Sequence, residues 1–134
     1  MTEAKSLKLS LLLLRVGVFI VFFMWTIDKF INPEHSARVF AKFYYFQGLA
    51  TELVYVIGLL QAAVVLAFLL GIMKKYSYGI IFLMHLASTL VSFEHYFDPW
   101  KVPNLLFFAA FPMLAATMAL YLMRNQDTLF TIKR

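Results

Sequence analysis

A histidine, His85, stands near the middle of a long apolar run, followed by Ser88, Thr89, Ser92 and His95. At 3.6 residues per helical turn these side chains share one broad stripe. An imidazole in such surroundings can hydrogen-bond a ligand oxygen or pass a proton. An ionisable group at a bilayer centre costs at least roughly 2.5–3.5 kcal/mol, so it needs a partner or a purpose. Two readings stay open for the stripe: the polar wall of a pocket, or hydroxyl groups that let helices pack closely. Gln61 lies mid-way along the preceding run. It can reach His85 across a tight hairpin, which would either satisfy both groups or orient the imidazole toward a ligand.

A second set of polar residues falls near the ends of the runs: Glu52, Glu94, His95 and Asp98, with Asp28 and Lys29 closing the first run. Carboxylates with an imidazole suit a hard or borderline cation, but their spacing matches no metal motif. A solvated rim of local ion pairs is the competing reading, and no metal is assigned. Asp28 and Lys29 could pair with Glu52 or with the third loop. Arg15 lies inside the first run. It either snorkels to lipid phosphates or binds carbonyls or a carboxylate within the bundle. Pro112 interrupts the fourth run and predicts a kink near Phe108.

The elements that must carry these residues follow from composition. Hydrophobic residues make up 63% of the 134 residues and charged residues 14%. A soluble domain of this size has too little interior to hide so much apolar surface. Four runs approach the roughly 20 residues that cross a hydrocarbon core as helix. They cover about 9–31, 52–73, 76–97 and 103–123. They are continuously apolar rather than alternating, so strands are disfavoured. The expected fold is a single all-α transmembrane domain over 1–134, an integral membrane four-helix bundle. Lys74-Lys75 implies a tight hairpin between the second and third runs, and Pro99 and Pro103 bound the loop before the fourth. Asn32 can cap a helix opening at Pro33. There Glu34, Arg38 and Lys42 share one face, which predicts a short amphipathic helix lying in the interface.

The basic groups set the orientation. Lys5, Lys8 and Arg15, then Lys74 and Lys75, then Arg124, Lys133 and Arg134 all fall on one side if there are four crossings, and that side is cytoplasmic. Both termini are then cytoplasmic. Trp25, Tyr44, Tyr45, Tyr96 and Trp100 are expected to form the outer aromatic belt. The apolar run after the basic start is too long for a signal peptide, so it reads as a retained helix. The absence of cysteine excludes disulfides and thiolate chemistry. No glycine-rich phosphate loop is present. The net charge of +5 reads as topology signal and lipid contact, not nucleic-acid binding. Haem b between two transmembrane histidines is disfavoured, because His85 and His95 share one run.

The chain resembles the DoxX family of small bacterial four-helix membrane proteins. The resemblance rests on Leu14-Arg15-Val16-Gly17, on Trp25-Thr26-Ile27-Asp28-Lys29-Phe30 with Asn32-Pro33, and on Ile57-Gly58-Leu59, Leu69-Leu70-Gly71 and the turn Lys74-Lys75. His85-Leu86-Ala87-Ser88-Thr89 and Asn104-Leu105-Leu106-Phe107-Phe108 look like marks of a narrower DoxX-like subgroup. Arg15, Lys29 and Gly58 carry over by position. The resemblance implies the bacterial inner membrane and a link to thiosulfate:quinone oxidoreductase subunits and other redox proteins. It assigns no catalytic residue.

The expected function is a redox-associated subunit that binds a quinone or another lipophilic ligand in a pocket open to the outer side. His85, Gln61, Ser88 and Ser92 would be its ligand-binding residues and Arg15 structural. The alternatives are a non-catalytic anchor or assembly subunit with partner proteins, and a small homo-oligomeric transporter.

Overall fold

The structure is a computed structural model and describes residues 1–132. Lys133 and Arg134, invoked above for orientation, lie outside the described residues. The described residues are helical and contain no strand. The elements are α1 (Glu3–Ile31), α2 (Pro33–Phe43), α3 (Thr51–Leu70), α4 (Lys74–Val91), α5 (Phe93–Phe97), a 3₁₀ helix (Asn104–Ala109) and α6 (Ala110–Leu122). α1 packs on α3 and α6, and α4 packs on α3 and α6, so each long helix has two long neighbours.

Three segments are long and apolar enough to cross a membrane: Glu3–Ile31, Thr51–Leu70 and Asn104–Leu122. α4 is not among them; it carries Lys74, Lys75, His85 and a series of hydroxyl residues. Only 22%, 28% and 11% of the most apolar stretches of those three segments are buried. The remainder, including Leu13, Ile20, Leu59, Leu60 and Leu106, faces outward. The buried stripes are instead where polar groups collect. On α1 the stripe is Leu11, Arg15, Val18, Phe22 and Thr26. On α3 it is Val54, Gly58, Gln61, Val65 and Phe68, and on α4 it includes Tyr78, Ile81, His85 and Thr89. This inverts the pattern of a water-soluble bundle, in which polar residues take the outer face.

Several boundaries differ from those expected. α3 stops at Leu70 because Gly71 takes the left-handed conformation (φ 66°) and donates back to Phe68 and Ala67 carbonyls. That is a favoured helix stop for a residue without Cβ. The turn is therefore Gly71–Met73, and Lys74-Lys75 already opens α4. The third run breaks at Ser92 and resumes as α5, so it is not one helix to residue 97. The fourth run opens as a 3₁₀ helix, and Pro112 falls in the first turn of α6. The disturbance expected near Phe108 coincides with the change from 3₁₀ to α-helix at Ala109–Ala110. α2 forms from Pro33 as expected, with Glu34, Arg38 and Lys42 exposed, although the Asn32 side chain makes no capping bond.

Gly58 has a specific reason to be glycine. A Cβ there would lie 2.8 Å from the Phe30 ring and 3.3 Å from Lys29 Cβ. The residue lets α1 and α3 approach closely where both leave the core, the way small residues act between membrane helices.

Candidate functional site

Two polar regions stand at opposite ends of the helices. The first is a cavity of 460 Å³ bounded by α1, α2, α3 and α4, with Phe107 of the 3₁₀ helix at its edge. The walls are largely aromatic and aliphatic: Phe22 and Trp25 from α1, Val39, Phe40 and Phe43 from α2, Ile57 from α3, and Met84 and Val91 from α4. α2 covers this end because its inner face is apolar and because it is clipped to α1. Asp28 Oδ2 accepts from Ser36 Oγ at 3.1 Å and lies 2.7 Å from His35 Nδ1. Asp28 thus pairs across the Asn32-Pro33 break, not with Glu52 or the third loop. His35 escaped the sequence reading. The available signal was an imidazole seven residues after an aspartate, in the first turn of a proline-opened helix.

Asp28, His35 and Ser36 also line the cavity, and further polar side chains meet it from its floor and wall. Gln61 is buried, and its Nε2 donates to Thr26 Oγ1 at 2.9 Å. Its carbonyl oxygen has no protein partner among the described residues. Ser88 and Ser92 line the same space, as does Lys29, whose Nζ donates to the Trp25 carbonyl at 3.3 Å. Tyr44 lies beside them. Burial pushes its phenol above the ordinary tyrosine value, and the nearby Ser88 hydroxyl acts in the opposite sense.

His85 is placed differently from expectation. It is 2% exposed and lies outside the cavity lining, behind Trp25 and Phe22. Its Nε2 is 2.9 Å from the Ala110 carbonyl, so it is bonded to the start of α6 and not to Gln61. The hairpin brings α3 and α4 together, but the two side chains turn toward different neighbours. Thr89 Oγ1 donates to the His85 carbonyl and Ser92 Oγ to the Ser88 carbonyl. Much of the hydroxyl stripe therefore satisfies its own helix.

The carboxylates near the ends of the runs do not converge. Among the described residues, no group of three His, Asp or Glu side chains is placed to hold a metal ion. Glu52, Glu94 and Asp98 are exposed. His95 is stacked between Phe43 and Phe107, with ring centroids 5.3 and 4.0 Å away, and so fastens α5 to α2 and the 3₁₀ helix. Of the expected belt, Trp25, Tyr44, Tyr45 and Trp100 are exposed, whereas Tyr96 donates to the Thr89 carbonyl.

The second region lies at the end that holds both the N-terminal half of α1 and the segment after α6. Arg15 Nη1 is 2.9 Å from Asp127 Oδ1, with the side chains 1% and 0% exposed. Tyr78 donates to Asp127 Oδ2 at 2.7 Å and accepts from Arg15 at 3.3 Å. Arg15 also donates to the Leu129 carbonyl, and Lys74 to the Asp127 carbonyl. The segment after α6 closes on α3 through the Ile132 N–H, which donates to the Leu70 carbonyl at 2.8 Å. Of the two readings of Arg15, the one inside the bundle is observed. Asp127 and Tyr78 went unread in the sequence, because an aspartate in a polar tail carries no mark of burial. This end therefore holds a buried polar network of Arg15, Tyr78 and Asp127.

No protein-family model matches the chain, and no curated protein or solved structure does.

Proposed function

We propose that the chain is an integral membrane four-helix bundle, DoxX-like in kind, that holds a lipophilic ligand with a polar head in the cavity beneath α2. The observation that carries this reading is the cavity itself. Its 460 Å³ lies within the roughly 300–1,000 Å³ usual for ligand sites, and apolar walls with a few placed polar groups are what such sites need. A quinone fits that description. Its ring would lie among Phe22, Trp25 and Phe43. Gln61 and Ser88 would hydrogen-bond its oxygens, with Lys29 near the head group. A bound quinone would supply two-electron redox chemistry; the chain's own part is to orient the head and exclude water. His85 supports the wall through Trp25 and the Ala110 carbonyl and makes no contact with the ligand.

In this reading all four long helices cross the inner membrane. α4 crosses in spite of its polar residues because Tyr78, His85 and Thr89 are buried and Lys74 and Lys75 stand at its end. Both termini are cytoplasmic, the cavity opens outward, and α2 lies in the outer interface with Glu34, Arg38 and Lys42 toward water.

The test is extraction in mild detergent, mass spectrometry of retained lipids, and titration of the reconstituted chain with a short-chain quinone. Saturable binding that Gln61→Leu weakens and a surface change such as Lys101→Gln leaves alone is the expected result. Absence of any retained quinone together with no saturable titration would remove the quinone assignment.

A further inference from the structure

The geometry points to a second binding site, for a phosphate-bearing anion, at the termini end of the molecule, between the α3–α4 turn and the segment that follows α6. The space there is a separate open cavity of 480 Å³. Three cations line it: Lys74, Lys75 and Arg124. Asn125, Thr128 and Thr131 add neutral donors, and no carboxylate lines it among the described residues. The Asp127 carboxylate, the one acidic group close by in sequence, is turned inward and consumed by Arg15 and Tyr78. Among the described residues, what remains around the cavity is positive charge without an acidic neighbour in the lining. Neither Lys75 nor Arg124 forms an ion pair among the described residues. Each is held instead against an aromatic ring, Lys75 at 5.9 Å over Tyr76 and Arg124 at 4.7 Å over Tyr121.

The backbone adds to this field. α4 opens at Met73 with no side-chain cap; the Tyr76 and Ser77 N–H groups return to the Met73 carbonyl, and those of Lys74 and Lys75 are left for an external acceptor. The positive end of an 18-residue helix favours an anion there. The site is also built rather than incidental. Gly71 is left-handed, and Thr131 packs so closely that a Cβ on Gly71 would lie 2.6 Å from it. The Lys74 bond to the Asp127 carbonyl and the Ile132 bond to Leu70 hold the two walls together.

The ligand chemistry is a phosphate group, which prefers several cations and neutral donors over a single partner. It can come from a phospholipid headgroup or from free phosphate. Exposed Met73, Tyr76 and Ile132 at the margin would accept the apolar part of a lipid. The lipid form rests on the chain spanning a membrane, which reconstitution tests independently of anion binding.

The experiment uses the full chain in nanodiscs of phosphatidylcholine with a small fraction of phosphatidylglycerol, read by native mass spectrometry. Inorganic phosphate is titrated calorimetrically into pure phosphatidylcholine discs. Lys75→Gln with Arg124→Gln is compared with Lys5→Gln with Lys8→Gln, which removes equal charge from the same end but outside the cavity. Lys74 is left intact because it holds Asp127. At about fivefold per cation near an anionic surface, the cavity variant should lose roughly 20- to 30-fold in affinity while the control loses less than about threefold. Phosphatidylglycerol retention without phosphate binding assigns the lipid; saturable phosphate binding with the same variant sensitivity assigns free phosphate. Equal losses in both variants, or a folded chain in discs that binds neither probe, would overturn the site.

Discussion

Arg15 and Asp127, drawn from opposite ends of the chain, meet as an ion pair at 2.9 Å with almost no exposure on either side chain. Tyr78 bridges them. The pair joins the first helix to the segment after the last, and so closes the molecule at the end that holds the N-terminal half of α1. Removing one partner of a buried pair strands a charge and costs about 3–5 kcal/mol, whereas replacing both by apolar groups is often neutral. Asp127→Ala should therefore lower unfolding stability in mild detergent by about that amount. Arg15→Met combined with Asp127→Leu should recover most of the loss. Additive losses in the double variant would show that the pair is not the source of the effect.

Tyr78→Phe keeps the ring against Phe68, 4.9 Å between centroids, and deletes only the hydroxyl. One Asp127 oxygen then lacks its donor. The expected loss is about 1–3 kcal/mol, smaller than for Asp127→Ala. Thermal unfolding of the two variants in the same detergent compares them directly.

Gly58→Val forces a side chain into the Phe30 ring and Lys29 Cβ. Overpacking of this kind costs about 1–3 kcal/mol. Shortening the obstacle with Phe30→Ala should relieve part of it, so a double-mutant cycle should give a favourable coupling. No coupling would mean that Gly58 serves something other than the α1–α3 approach.

His85→Phe and Gln61→Leu separate wall from ligand contact. His85→Phe leaves the Ala110 carbonyl without its imidazole partner and should cost stability, about 1–3 kcal/mol, with little change in quinone titration. Gln61→Leu should reduce binding about tenfold, the effect of about 1.4 kcal/mol for one lost hydrogen bond. If His85→Phe abolishes binding in a chain that remains folded, the imidazole contacts the ligand after all.

Much of the architecture was legible in the residues. Continuous apolar runs too long and too numerous for a small soluble core predict helices with outward apolar faces, and three segments meet that description. Pro33 marked the start of α2, and position within the apolar runs was enough to find Gln61 and His85 as buried polar residues. What the periodicity could not provide was the neighbour. In a soluble helix the apolar stripe identifies the inner face, but in α3 apolar residues surround the helix on every side. The rotation of each helix about its axis is then decided by the few polar groups and close contacts, such as Gly58 against Phe30.

The sequence by itself determined that this protein is helical, that its surface is apolar, and that Arg15, Gln61 and His85 sit where an unpaired polar group is expensive. Only the tertiary structure decided their partners: Asp127 for Arg15, Thr26 for Gln61, the Ala110 carbonyl for His85. The reason is geometric. Hydrogen bonds and ion pairs act over about 3 Å, and the rotation and axial offset of packed helices, which local spacing does not specify, select which of several candidate partners comes within that reach.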